Sequence, residues 1–312
     1  MTPAAGAAAG AATASVIATL DRLQAVEPRT AVVREPIVGT ARRADCDPVV
    51  REALGAAVAQ LTAAIGTDRS VGALAEELPD PATRDAVAAL ALVSALPAAC
   101  AWVVERGVPE QVAWASVADV PRKLAVYGLH GTGVDWLSGV VAGRVLTVGR
   151  LQFERDVRVP AAGGELAGAP AWGVHIPEIG PLDPDACDDA FERAPALLEA
   201  LTGTRAAAWT CTSWLLDPRL GGLLGPEANI VRFAGRFMLL PAVVPDPADT
   251  LAVAVHDAEA DAGIGKFVFG ASSLAEARRR RAVGRLQLGV LAHLDAGGHW
   301  YERDGVAPVA RG

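Results

Sequence analysis

The sequence has no paired-cysteine motif, no basic surplus and no charged amino-terminal leader, and each absence removes a class of protein. Its four cysteines, Cys46, Cys100, Cys187 and Cys211, show no C-x-x-C pair and no regular spacing. Neither a zinc site nor a disulfide scaffold is therefore expected, and a reducing cytoplasm is the expected location. The formal net charge of −8 argues against a general nucleic-acid surface, because phosphate binding draws most of its affinity from Lys and Arg. A local basic pocket stays compatible with it. The alanine-rich start lacks the basic residues that open a secretory signal; residues 1–14 are expected to be a loose tail, with a helical pattern from Ser15. No internal repeat of fixed period and no linker rich in Pro, Gly or Ser is found.

What is present is a chain of 312 residues, 52% apolar and 21% charged, the profile of a folded globular protein with room for two cores. The first part, 1–143, reads as successive helices. Asp47-Pro48 supplies an N-cap followed by proline at the first helical position, and apolar spacing then runs through Leu54, Val58 and Leu61 to a stop near Gly66. A second helix follows Asp80-Pro81. Ser116 with Asp119 resembles a capping box opening the segment with Leu124 and Tyr127, and Gly131 and Gly133 precede a short helix at Trp136-Leu137. Ala86–Val104 carries no charged residue and approaches the length that spans a bilayer, but it is mostly Ala and Val and holds Ser94 and Pro97. A buried helix or helix pair, not a membrane span, is expected.

From Val145 the pattern changes. Leu146, Val148, Leu151, Phe153 and Val157 fall at mainly alternating spacings before Gly163-Gly164. Further strands are expected at 171–176, 208–213, 236–244 and 265–269, with helices at 184–201 and 272–294. The whole is an α+β chain: a helical domain, 1–143, before a mixed α/β domain, 144–312.

Several phrases stand in order along this second part: Val148-Gly149-Arg150-Leu151-Gln152-Phe153-Glu154, Val174-His175-Ile176-Pro177, Cys211-Thr212-Ser213-Trp214-Leu215-Leu216-Asp217-Pro218, Asn229-Ile230 ahead of Phe233, and Gly297-Gly298-His299-Trp300. Together they resemble the GNAT-like domain that follows a helical N-acyltransferase N-terminal domain in a group of bacterial proteins. The resemblance covers about 110–305 and implies a GNAT-type fold with a central, mostly antiparallel, splayed sheet. It implies an N-acyltransferase that takes an acyl group from an acyl-CoA cosubstrate, or from an acyl carrier protein, and delivers it to an amine or hydroxyl of a small-molecule acceptor. No permanently bound cofactor and no metal is implied.

The resemblance also implies where the donor lies. In GNAT-type enzymes a central strand splays from its neighbour, pantetheine pairs with the exposed backbone, and the following helix offers its N-terminal amides to pyrophosphate. Here Trp172–Ile176, including Val174 and Ile176, becomes that strand, and Pro177-Glu178-Ile179-Gly180-Pro181 the loop, with Ile179 and Gly180 at the donor. The chain departs from better-known members in lacking the Gln/Arg-x-x-Gly-x-Gly/Ala loop. Asp183, Asp185, Asp188 and Asp189 also crowd the helix start, where they oppose an anion unless a distant arginine compensates.

His175 suits a general base by its reference pKa near 6.5, although a histidine in an apolar strand is also common as hydrogen-bonded structure. Glu178 is a second candidate base. Cys211 and Ser213, two apart on a strand, share a face. Beside His175 they would permit a covalent acyl-enzyme, whereas Ser213 alone would hydrogen-bond the thioester oxygen or protonate the departing thiolate. Trp214 and Asn229 are candidate substrate contacts, and Asp217 a cap for the short helix from Pro218. Gln152 and Glu154 are read as ordering the domain junction. Arg278–Arg281 cannot converge on one phosphate, since helical neighbours fan out by about 100° each. Two alternatives stay open: a thioester hydrolase or cysteine-dependent transferase built on Cys211, and a non-catalytic acyl-thioester-binding protein.

Overall fold

The structure is a computed structural model that describes residues 3–69, 71–240 and 303–309. They fall into two compact units, one within 1–148 together with 196–204, the other within 149–195 and 205–312.

The first unit is helical: α1 (Pro3–Val26), α2 (Thr30–Cys46), α3 (Pro48–Ala64), α4 (Pro81–Glu105), α5 (Glu110–Val117), α6 (Asp119–Thr132) and α7 (Val134–Val141), ending in β1 (Val145–Val148). The expected loose tail is instead helical from Pro3, in keeping with alanine's first place among helix formers. Both Asp-Pro starts behave as expected. Asp47 accepts the amides of Val49 and Val50, and Asp80 accepts that of Thr83, whose hydroxyl bonds the same carboxylate and with the amide holds it below its usual range.

The capping box at Ser116 does not form. Ser116 lies inside α5, where its hydroxyl donates to the Val112 carbonyl and accepts the Thr147 amide. Asp119 is fully buried, ion-paired with Arg122, and accepts the indole N–H of Trp136 at 2.8 Å. The two partners satisfy the carboxylate, as a buried charge requires. The uncharged stretch is part of α4, a single helix that continues through Pro97. By length and composition α4 is apolar enough to cross a membrane, and 61% of its most apolar window is buried inside this unit. Leu90, Val93, Leu96 and Ala99 are among its buried residues.

Among the described residues of the second unit the strands are β2 (Leu151–Arg158), β3 (Pro170–His175), β4 (Ala208–Ser213), β5 (Met238–Leu239) and β6 (Arg303–Pro308), in the sheet order β2-β3-β4-β6-β5. Only β3 and β4 are parallel to each other; the other neighbours are antiparallel. Helix α8 (Pro184–Thr202) forms where expected, and α9 (Arg219–Leu224) and α10 (Asn229–Ala234) are short. Register and alternation place Phe153, Trp172, Val174, Trp209 and Cys211 on one face of the sheet. There Phe191 of α8 meets Phe153 edge-on at 5.7 Å and Trp209 at 5.4 Å, and Trp172 lies 5.2 Å from Trp209. This aromatic layer is the core of the unit.

The expected strand at 236–244 is shorter at its start than the alternation suggested, with Met238–Leu239 paired to β6. Residues 241–244, the strand at 265–269, the helix at 272–294 with Arg278–Arg281, and Gly297–Trp300 lie outside the described residues.

Candidate active site

The two central strands separate. β3 and β4 are in register at Ala171↔Ala208, Trp172↔Trp209 and Gly173↔Thr210, where their pairing ends. Beyond that point β3 continues against β2 as far as His175↔Gln152, and β4 continues against β6 as far as Ser213↔Arg303. Each strand keeps its outer neighbour and loses its inner one. The backbone of Val174 and His175 thus borders a gap whose far side is Cys211–Ser213, a site where an extended amide-bearing ligand can take the place of a strand.

On the face opposite the aromatic layer, alternation aligns Gln152, Glu154, Gly173, His175 and Thr210. His175 Nε2 lies 2.9 Å from Glu154 Oε2, with both side chains partly exposed at 35% and 27%. A carboxylate in this position fixes the ring's orientation and stabilises the imidazolium that forms when the ring takes a proton. The pair has room because residue 173 is glycine. A Cβ there would lie 3.2 Å from Glu154 Cβ and 3.4 Å from His175 Nε2. A β-bulge follows Glu154 directly, where the register shifts before Val157 and Asp156 adopts φ 63, and such bulges re-aim neighbouring side chains. Glu154, expected to order the domain junction, is instead the partner of His175.

After His175 the loop Ile176–Asp183 leads to α8. Pro177 is buried, Glu178 and Ile176 half-buried, and Ile179 and Gly180 exposed. Arg150, only 6% exposed, donates to the Pro181 carbonyl at 2.6 Å and to those of Pro177 and Gly180 at 2.9 Å. At the helix start Asp183 accepts the Ala186 amide and Asp189 pairs with Arg193 at 2.8 Å. Asp188 pairs with Arg236 at 2.5 Å, and that arginine also donates to the Pro184 carbonyl. Arg236 thus pairs with one of the four acids, Asp188. Cys187 in this turn is fully buried, and burial pushes its thiol pKa up despite Arg236 and Arg150 nearby.

The remaining candidates are more dispersed. Cys211 is 2% exposed and, with Ser213, belongs to the Trp209 face, so strand alternation sets it on the opposite side of the sheet from His175. The structure does not bring Cys211 and His175 together. Ser213 Oγ accepts the Leu215 amide at 3.1 Å and thereby caps the 3-10 turn at Trp214–Leu216. Trp214 is half-buried in that turn. Asp217 is buried and accepts both the amide and the guanidinium of Arg219 at the start of α9, the expected capping role with an added ion pair. Asn229 is exposed and opens α10; the strand expected after it is preceded by this helix. Among the described residues no group of three or more His, Cys, Asp or Glu is arranged to hold a metal ion.

Glu154, Gly173, Arg150 and Arg236 were not singled out for these roles by sequence. Two of them, Arg150 and Glu154, stand in the Val148–Glu154 phrase, whose only sequence signal was its recurrence with the later phrases.

Comparison with known proteins agrees with this geometry. Residues 145–307 match the model of the GNAT-like C-terminal domain, and residues 18–136 that of the N-acyltransferase N-terminal domain. No protein of curated function matches the sequence. Among solved structures, an acyltransferase in complex with decanoyl-CoA and teicoplanin is similar, at 27% identity and a TM-score of 0.68, over 93% of this chain and 86% of the other. The acyltransferase with decanoyl-CoA alone aligns at 28% identity and 0.67, and that with CoA and 10C-teicoplanin at 27% and 0.66, with the same coverage.

Proposed function

The chain belongs to the GNAT-like acyltransferases with a helical N-acyltransferase N-terminal domain, and from that premise we propose how its own residues carry out the transfer. The donor is an acyl-CoA, as in the acyltransferase structures it resembles. Its thioester arm lies in the gap between β3 and β4, pairing with the backbone of Val174 and Ile176. The acceptor is an amine of a small molecule.

His175 is the general base. As the amine nitrogen attacks the thioester carbon, the C–N bond forms, its proton passes to His175 Nδ1, the ring nitrogen other than the one paired with Glu154, directly or through water, and the C–S bond breaks to release the thiolate. Glu154 turns the ring and offsets the positive charge it acquires. The observation that carries this reading is the juxtaposition of a His–Glu pair with the point where β3 and β4 part. Ser213, whose oxygen accepts the Leu215 amide, shares the Cys211 face and takes no part in this step; the departing thiolate takes up its proton from solvent. Glu178, in the loop just past His175, is the alternative base.

A covalent route through Cys211 gains no support, because the base it needs is on the other face. Incubation with a panel of acyl-CoAs and amines is expected to release free thiol in step with amide product. Absence of thiol release across the panel, together with saturable acyl-CoA binding, would instead favour a non-catalytic thioester-binding protein. Intact-mass detection of an acylated chain that is lost in Cys211→Ala would replace direct attack by the covalent scheme.

A further inference from the structure

The helix start that should receive the donor's pyrophosphate is occupied by its own acids, yet the loop before it is held by a buried cation, Arg150. We propose that Arg150 is the positioning residue of the donor site: it holds the carbonyls of Pro177, Gly180 and Pro181 on one guanidinium and so fixes the β3–α8 loop in the shape that receives the phosphate end of acyl-CoA. This rests on the acyl-CoA reading above.

Three features of the chain support it. The first is geometric. In a trans peptide the C=O and N–H point in opposite directions, so drawing the carbonyls of Pro177 and Pro181 toward Arg150 directs the amides of Glu178 and Leu182 away from it. The Ile179 amide is taken by the Pro177 carbonyl, so the amides at the two ends of the loop are the ones turned toward an anion. The second is electrostatic. Asp183 already accepts the Ala186 amide, and Asp188 and Asp189 are paired with Arg236 and Arg193; the loop, not the acid-filled first turn, is then the anion-receiving element, with Arg150 as a fixed positive charge beneath it. The third is shape. Gly180 holds φ 124 with nothing near its missing Cβ, a backbone state that an L side chain rarely adopts. Arginine suits this task because its planar fork reaches several acceptors at once, which the single ammonium of lysine does not reproduce.

The test measures kcat and KM for two donors, an acyl-CoA and the matching acyl-pantetheine, which lacks the pyrophosphate and nucleotide. For Arg150→Ala and Arg150→Lys, KM for acyl-CoA is expected to rise about tenfold or more, with kcat and the KM for acyl-pantetheine each changed by less than about threefold. Gly180→Ala, which disturbs the loop without removing a buried charge, is expected to give the same donor-selective rise. It decides the matter if the Arg150 variants do not fold. Parallel losses with both donors, a wild-type KM in Arg150→Lys, or an unchanged KM in Gly180→Ala would each overturn the proposal while leaving the donor reading intact. A wild-type protein that does not saturate with acyl-CoA would overturn both.

Discussion

A histidine at the end of an apolar strand can be inert packing or a proton acceptor, and at position 175 the neighbouring strand decides. Glu154 Oε2 at 2.9 Å orients the ring, and Gly173 leaves the space in which they meet. With His175 as base, His175→Gln is expected to lower kcat by about 100-fold or more, within the usual range for losing a general base, with little change in KM for acyl-CoA. Glu154→Gln should cost less, because the ring survives without its partner. Steady-state kinetics on both variants checks the order; equal rates in His175→Gln and wild type would move the role to Glu178. The cysteines give an independent reading at this scale. Burial pushes the Cys100 thiol up to about 12, Cys187 and Cys211 are also buried, and Cys46 is exposed. Since the thiolate is the reactive form, an alkylating reagent at neutral pH is expected to label Cys46 first, read by mass spectrometry of peptides from native protein. Rapid labelling of Cys211 would revive the nucleophile.

At the scale of elements, the sheet converts residue spacing into function through register. Because β3 and β4 are in register through Gly173↔Thr210, alternation past that point assigns every second residue to one face of the sheet or the other. His175 and Cys211 were separated by this alone. Gly173→Val is expected to lower kcat at least about tenfold by displacing Glu154 and His175, while the far-UV circular dichroism stays that of the wild type. Helix starts behave more simply. Asp217 is buried against Arg219, so Asp217→Ala leaves that guanidinium without its carboxylate and removes a cap. The loss expected in urea unfolding is about 2 kcal/mol.

For the whole molecule, the family places an acyl-transfer domain behind a helical one, and the sequence matches both domain models in that order. Ligand linkage gives a test that needs no acceptor. A donor that binds only the folded chain stabilises it by about 2.7 kcal/mol at a hundred times its Kd, so saturating acyl-CoA is expected to raise Tm by several degrees in a calorimetric scan. A shift with acyl carrier protein and none with acyl-CoA would assign the donor to the carrier.

The sequence alone determined what depends on near neighbours in the chain. Proline after aspartate set the starts of α3 and α4, apolar alternation set β3 and β4 to within a residue or so, and the ordered phrases pointed to the acyl-transfer family. These are local signals of capping, side-chain period and motif order. It misplaced Ser116 because a hydroxyl three residues before a carboxylate suits a cap and a buried bond equally well, and it gave Glu154 to the domain junction because the residue it meets is 21 positions away. Arg150 with its three carbonyls, Arg236 with Asp188, and the separation of Cys211 from His175 were decided only in tertiary structure. Each depends on which strands are neighbours and where their pairing stops, and no local spacing carries that information.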